Sequence, residues 1–273
     1  MGNQQTIRIG VIAVGYQCAE QFRAVMSPWA ALRCGVYDED VGVRVQEPQL
    51  DIKICCTTAL FKEHHDAGFT YDNKPTEDIL EQYKAGGVLD EYVVVREPIV
   101  DYVSRNHCLD YLGQFDIDLY WQLDLFDEYY TQSDILKILA FIQRNSLVDW
   151  YRVYFKNYVG DEKHYVEGFA PPRIHWAKRN GGVNRFYWDN ELNYKNGKRA
   201  EQCSSLTIPE SVAQVRHLSW CGSPEFLKRK IAYQHRCLGH CSYRWDETKG
   251  LVLDESYYNK TGETKPIINE ETT

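Results

Sequence analysis

Three carboxylates, Asp124, Asp127 and Glu128, stand at the tip of an apolar run, Leu119 to Leu123, in the stretch DLYWQLDLFDEYYTQ. Acids grouped where a strand ends suit a hard divalent cation such as Mg²⁺ or Mn²⁺. Such an ion takes oxygen ligands and commonly bridges protein carboxylates to the phosphates of a nucleotide. The competing account is an acidic turn capping a helix that starts near Ser133, because acids are common at helix starts. A second group with ligand chemistry is His235, Cys237, His240 and Cys241 in QHRCLGHC, with Cys203 and Cys221 upstream. Zinc accepts such residues, but the spacing is no recognised finger or ribbon and part of it falls on an expected helix. Buried thiols and surface histidines are the simpler expectation. His64-His65-Asp66 reads as surface, and Cys55-Cys56 as small core residues of a strand. Gly86-Gly87 precede a strand rather than follow one, which makes them a helix stop and not a phosphate loop. No G-x-S-x-G, P-loop or zinc-protease signature occurs.

The elements that must position the acids alternate along the chain. TIRIGVIAVGY, residues 6–16, reads as a buried strand ending in a Gly turn. CAEQFRAVMSPWAALR follows with helical apolar spacing interrupted by Pro28. LDIKICCTTAL is a second strand, and TEDILEQYKAGG a helix capped at Thr76 and stopped at Gly86-Gly87. EYVVV is a third strand, EPIVDYVSRNHCLDYLG a helix with Pro98 in its first turn, and Leu119–Leu123 the fourth strand. This order predicts an α/β fold with a largely parallel sheet, in which ligands sit beyond the carboxyl ends of the strands. Asp124, Asp127 and Glu128 lie at such an end. Later, YRVYFKNYVG reads as a strand, 171–199 as a basic, aromatic loop, and SPEFLKRKIAYQHRCLG as a helix capped by Ser223 and ended by Gly239. Beyond Trp245 the pattern is a polar, partly disordered tail.

The chain of 273 residues is long enough for one large domain or two small ones. No apolar run approaches the roughly 20 residues that span a bilayer, and no secretory h-region follows Met1. The nine cysteines are an odd number, which reads as reduced thiols in a cytoplasmic protein. MGNQQT fits the M-G-x-x-x-[ST] acylation pattern; an unstructured start is the simpler account. The net charge of −8 is unevenly spread: residues 171–244 hold 13 Lys and Arg against 5 Asp and Glu. A basic region in an acidic protein points to an anionic partner such as nucleotide phosphates, a nucleic acid or an anionic surface.

SRNHCLDYLGQFDIDLYWQLDLFDEYYT resembles the centre of nucleotide-sugar glycosyltransferases of the A-type (GT-A) fold, especially family-2-like members. Their pattern is an Arg-Asn helix, an apolar strand and a D-x-D or D-x-D-E motif, matched here by Arg105-Asn106, Leu119–Leu123 and Asp124/Asp127/Glu128. The spacing departs from D-x-D by one residue, which leaves open which acids bind metal; Asp127 is the first choice and Asp124 the second. VIAVGYQCAEQF looks like the family's first strand and turn, and the resemblance implies that Tyr16 lies near the donor base. RHLSWCGSPEFLKRKI is similar to a late segment whose His completes the metal site, which implies His217. FYWDNEL loosely resembles an acceptor-side W-x-x-E-D/N motif, and Glu191 or Asp189 would be the base for the acceptor hydroxyl. Arg105, Asn106, Asp124 and Lys228 are then donor-side candidates, and Arg229 and Lys230 are further cations for the phosphates.

The resemblance implies a single large α/β domain with a GT-A-like Rossmann-type mixed sheet flanked by helices. Residues 1–150 would be its nucleotide-sugar-binding half, 151–245 a basic, aromatic acceptor-side half, and 246–273 a polar tail. It implies a transferase using Mn²⁺ or Mg²⁺ and a nucleotide-sugar donor. PPRIHWAKRNGGVNRFYWDNELNYKNGKR interleaves seven Lys and Arg with five Trp, Phe and Tyr, which suits phosphate contacts combined with ring stacking. A hydroxyl-bearing modified base in DNA, of the kind phage-type DNA-modifying glycosyltransferases use, is the specific polyanionic acceptor. Glycans, lipid-linked carriers and proteins stay open, as does a non-catalytic nucleic-acid- or carbohydrate-binding protein on the same sheet.

Overall fold

The computed structural model describes residues 6–36, 49–66, 68, 72–188, 191–238, 241–254 and 268–269. The start of the chain with Gly2, the side chains of His64 and Cys237, and Asp189, Gly239 and His240 lie outside the described residues. The first part runs β1 (Ile7–Gly15), α1 (Ala19–Arg33), β2 (Leu50–Phe61), α2 (Lys62–Asp66), α3 (Lys74–Ala85), β3 (Glu91–Ile99), α4 (Asp101–Leu112), β4 (Leu119–Asp124), β5 (Glu128–Tyr129) and α5 (Gln132–Arg144). It continues with β6 (Trp150–Val153), β7 (Phe155–Val159), β8 (His164–Phe169), β9 (Pro172–Trp176), β10 (Val183–Trp188), β11 (Glu191–Tyr194), β12 (Ser205–Ile208), β13 (Val215–Trp220), α6 (Pro224–Leu238), β14 (Tyr243–Asp246), β15 (Gly250–Leu253) and β16 (Ile268–Asn269).

A seven-stranded sheet in the order β12-β6-β9-β4-β1-β2-β3 forms the centre. β1 lies parallel to β2 and β4, and β2 parallel to β3, while β9 enters antiparallel between β4 and β6. The alternation of β1 explains both layers. Ile9, Val11 and Ala13 face one core with Phe22, Trp29, Ile135 and Ile138 of α1 and α5. Ile12 faces the other with Cys108 and Leu112 of α4, and with Phe186, Leu192 and Tyr194 of the β10–β11 hairpin. A strand whose two sides are both buried must be apolar throughout, as β1 and β4 are. A five-stranded sheet, β16-β8-β7-β13-β5, stands beside the centre. The result is one mixed α/β domain whose main sheet draws strands from both sides of residue 150.

Several sequence expectations are corrected here. Residues 171–199 hold the strands β9, β10 and β11 rather than a loop, and part of the supposed tail forms the β14–β15 hairpin. YRVYFKNYVG is two strands, β6 and β7, in different sheets. α1 continues through Pro28, whose missing N–H removes one helical bond while Val25, Met26 and Trp29 stay buried around it. Pro98 lies in β3 and not in α4. β3 is an edge strand whose pairing with β2 shifts register near Phe61, and such an edge tolerates proline. Thr76 does not cap α3, which starts at Lys74; its hydroxyl accepts the backbone N–H of Cys18 instead.

Candidate active site

Parallel pairing of β1 with β4 places Asp124 opposite Val14, and Leu125 N–H then donates to the Val14 carbonyl. The approach is close enough to require glycine at position 15, where a Cβ would stand 2.7 Å from Cys18 Sγ and 2.8 Å from Leu125 Cβ. The chain next turns through Gln17, whose φ is 49°. Asn73 Oδ1 accepts its N–H, so the start of α3 holds the turn that carries Tyr16. Tyr16 therefore sits at the same sheet end as Asp124, buried, its phenol pushed up by that burial.

The acids are not a helix cap. α5 is capped by Thr131 and Asp134 in a reciprocal capping box, leaving Asp124, Asp127 and Glu128 for other work. One ligand oxygen from each lies within 4.8 Å of the others. Asp124 is saturated by arginine: Arg105 Nη2 donates to Oδ1 at 2.8 Å and Arg173 Nη2 to Oδ2 at 3.0 Å. Arg105 also donates to Asp101, and Arg173 Nε donates to Glu128 Oε1 at 2.7 Å. Both guanidinium groups are 2% exposed, so their charges need these partners.

Asp127 and Glu128 keep one oxygen each in reserve. Asp127 Oδ1 and Glu128 Oε2 are buried with no hydrogen-bond partner among the described residues. Antiparallel pairing of β13 with β5 sets His217 opposite Glu128, and Asp127 Oδ2 lies 3.3 Å from His217 Nε2. The other ring nitrogen, Nδ1, meets Asn157 Oδ1 at 2.7 Å. With Nδ1–H donating to Asn157, a neutral His217 turns its Nε2 lone pair towards a carboxylate. That arrangement is repulsive until a proton or a cation intervenes, and it is the tautomer a metal ligand needs.

Electrostatics separates the three acids. Burial alone would raise Asp124, but Arg105 and Arg173 outweigh it and hold the carboxyl below its usual range. Burial pushes Glu128 well above its usual value; Arg173 opposes this, and the charges of Asp124 and Asp127 add to it. Burial and the neighbouring acids thus disfavour an ionised Glu128 unless further positive charge arrives. A divalent cation at the orphaned oxygens would supply the missing charge, and the donor set of carboxylate oxygens and one imidazole fits Mn²⁺ or Mg²⁺.

The remaining sequence candidates fall in different places. Asn106 is occupied in docking β10: its Nδ2 donates to the Phe186 carbonyl at 3.0 Å and its Oδ1 accepts the Phe186 N–H at 2.8 Å. Lys228 is paired outward with Glu247 across the Trp245 ring. Lys230, two residues on, turns the other way, to Ser219 on β13. Glu191 sits on β11, where Tyr187 Oη donates to its Oε2 at 2.7 Å. Arg185 pairs with Asp110 and Phe186 with Asn106, which docks the β10–β11 hairpin against α4. Cys203, Cys221 and Cys241 bond separately, to the carbonyls of Arg199 and Asp161 and to Gln234. Among the described residues they join no metal cluster.

Sequence reasoning missed Arg173 and Asn157; it counted Glu128 in the acid cluster without choosing it as a metal ligand, and named Lys230 as one of three cations for the phosphates. Arg173, Ile174 and His175 are consecutive buried residues of β9, so no alternation in the sequence marks Arg173. The basic segment is largely spent internally. Arg179 donates to the Val148 carbonyl, Lys178 and Arg185 pair with acids, Arg199 covers the Tyr187 ring, and His175 is fully buried.

No protein-family model and no curated protein matches the chain. Among solved structures, the chain is similar to TarS of S. aureus. Against residues 1–349 of TarS in complex with UDP, the TM-score is 0.45 and the identity 14%, over 93% of this chain and 69% of that one. Against residues 1–349 in complex with UDP-GlcNAc, the TM-score is 0.40 and the identity 15%, over 83% and 64%.

Proposed function

We propose that the chain is a divalent-metal-dependent glycosyltransferase that moves a sugar from a nucleotide-sugar donor to a hydroxyl. The observation that carries this reading is the pair of orphaned, buried oxygens, Asp127 Oδ1 and Glu128 Oε2, beside His217 at the carboxyl end of β4. Asp127, Glu128 and His217 would hold Mn²⁺ or Mg²⁺. The ion would stabilise negative charge on the diphosphate leaving group as the sugar's C1–O bond breaks. Asp124 serves as the counter-ion that fixes Arg105 and Arg173 beneath the site. Tyr16, buried in the turn after β1, would meet the donor base. Glu191, or its neighbour Asp189, takes the proton from the acceptor hydroxyl.

The acceptor is proposed at the level of a hydroxyl. A modified base in DNA rests on the basic surplus of residues 171–244, of which Arg173 is buried and Lys178, Arg179 and Arg185 already bond to acids or carbonyls of this chain. Nucleotide release from UDP-, GDP- and CMP-sugars, with Mn²⁺ and with EDTA, tests the reading. Each donor is run with and without hydroxymethylated DNA, on the wild type and on Asp127→Asn. Metal-dependent release lost in the variant is expected, and stimulation by DNA would name the acceptor. Absence of both binding and release across the panel would favour a non-catalytic binding protein.

A further inference from the structure

Lys230 is the cation whose setting the fold explains least. Its ammonium, carried by α6, lies 4.9 Å from the centre of the Trp220 ring and 5.9 Å from that of the Phe226 ring. Its ammonium donates to the Ser219 carbonyl at 2.5 Å and also meets the Ser219 hydroxyl, both neutral acceptors. Lys62, Lys74, Lys84, Lys178 and Lys228 each pair with a carboxylate. Among the described residues no carboxylate lies within ion-pair distance of Lys230. Burial pulls the ammonium below its usual value, and the charge of Asp127 is the largest of those that oppose it. Ser219 lies two residues beyond His217 on β13, past an irregularity in the pairing with β7, and the N–H of the intervening Leu218 donates to the Asp127 carbonyl, so the anchor of Lys230 adjoins the acid turn. Phe226 is wedged so closely against Gly222 that a Cβ there would stand 2.8 Å from its ring, and this fixes the rings that aim the lysine. A half-buried cation held only by neutral groups is costly unless an anion joins it.

We propose that Lys230 is the positioning residue for the donor's diphosphate, taking a phosphate oxygen on the side away from the metal. This rests on the donor-site reading above. The ammonium exchanges its bonds to Ser219 for charge-assisted bonds to phosphate, while the ring-lined stem keeps it in reach. Its contribution belongs to a diphosphate and not to the nucleoside, which separates it from Tyr16.

The test is titration calorimetry of UDP against UMP, and of GDP against GMP, in saturating Mn²⁺ on the full chain. The variants are Lys230→Met, which keeps the apolar stem, and Lys230→Arg, which keeps the charge; Mn²⁺ alone and thermal melting are the controls. For Lys230→Met the expected result is a loss of roughly ten- to a hundredfold in diphosphate affinity. Monophosphate and Mn²⁺ affinities should stay within about threefold, and Lys230→Arg should recover most of the loss. Equal diphosphate affinity in wild type and Lys230→Met would overturn the assignment. So would a parallel loss for mono- and diphosphate together with a lowered melting temperature, which would mark a structural role. A wild type that binds Mn²⁺ but neither nucleotide would overturn the donor-site reading itself, and this assignment with it.

Discussion

Asp124 and Asp127 are three residues apart, yet the structure assigns them opposite energetic roles, and isosteric substitution separates them. Asp124→Asn removes the negative charge between Arg105 and Arg173, both 2% exposed. Breaking a buried ion pair from one side costs about 3–5 kcal/mol. Glu128 still accepts from Arg173 Nε in the variant, so part of the Arg173 interaction is kept. The cost therefore falls near the low end, about 3 kcal/mol, or a fall in Tm of roughly 6–12 °C for a chain of this size. Asp127→Asn instead removes a charge that no arginine neutralises and leaves stability within about 1 kcal/mol. The same variant abolishes stabilisation by ligand, which in the wild type reaches about 2.7 kcal/mol once Mn²⁺ and nucleotide are at a hundred times Kd. Urea denaturation with and without Mn²⁺ and UDP reads both quantities. An Asp124→Asn protein as stable as the wild type, or an Asp127→Asn protein still stabilised by Mn²⁺, would refute the division of labour.

Three further outcomes follow from neighbouring features. His175 is fully buried, and that burial, with the Arg173 charge, lowers its pKa from 6.5 to about 3. The unfolded chain takes up this proton below pH 6.5 and the folded one does not, so the stability is present above pH 6.5 and is lost on acidification. Between pH 8 and pH 5 it should fall by about 2 kcal/mol in urea titrations, and His175→Gln should flatten that slope. Asn106→Leu leaves the Phe186 N–H and carbonyl without the amide that binds them, at about 1–3 kcal/mol. Hydrogen exchange in β10 and β11 should accelerate while Mn²⁺ affinity holds. Gly15→Ala forces a Cβ against Cys18 and Leu125, costing about 1–3 kcal/mol. It should also weaken Mn²⁺ binding in calorimetry, because Leu125 adjoins Asp124.

The strand–helix alternation up to α5 was legible because each element repeats its own period over many residues. β1 and β4 are apolar on both faces, and α5 carries its own cap. The acid tip and the late His217 were singled out by a resemblance in their order along the chain, and the fold brings His217 Nε2 to 3.3 Å from Asp127 Oδ2. What failed was the region where strands are short and come from distant parts of the chain. β9 has five residues and pairs with both β4 and β6, so nothing local announces it. Its Arg173 looked like one more cation of a basic loop, and only the fold reveals it as the buried counter-charge of Asp124 and Glu128. Spacing ranked Asp124 second as a metal ligand; in the fold two arginines bond to its two oxygens, while Glu128 Oε2 has no hydrogen-bond partner among the described residues. The surplus of basic residues suggested a polyanionic acceptor, whereas most of those side chains bond to carbonyls, acids or rings of this chain.

The central claim is that a divalent cation binds between Asp127, Glu128 and His217 to receive a nucleotide diphosphate. Anomalous diffraction from crystals grown with Mn²⁺ and UDP tests it most directly. The account predicts a manganese peak within coordination distance, about 2.0–2.3 Å, of Asp127 Oδ1 and of His217 Nε2 or Glu128 Oε2, and of a phosphate oxygen. A peak on Asp124 with Arg105 and Arg173 displaced, or nucleotide bound at the end of β4 with no manganese beside Asp127, would contradict it.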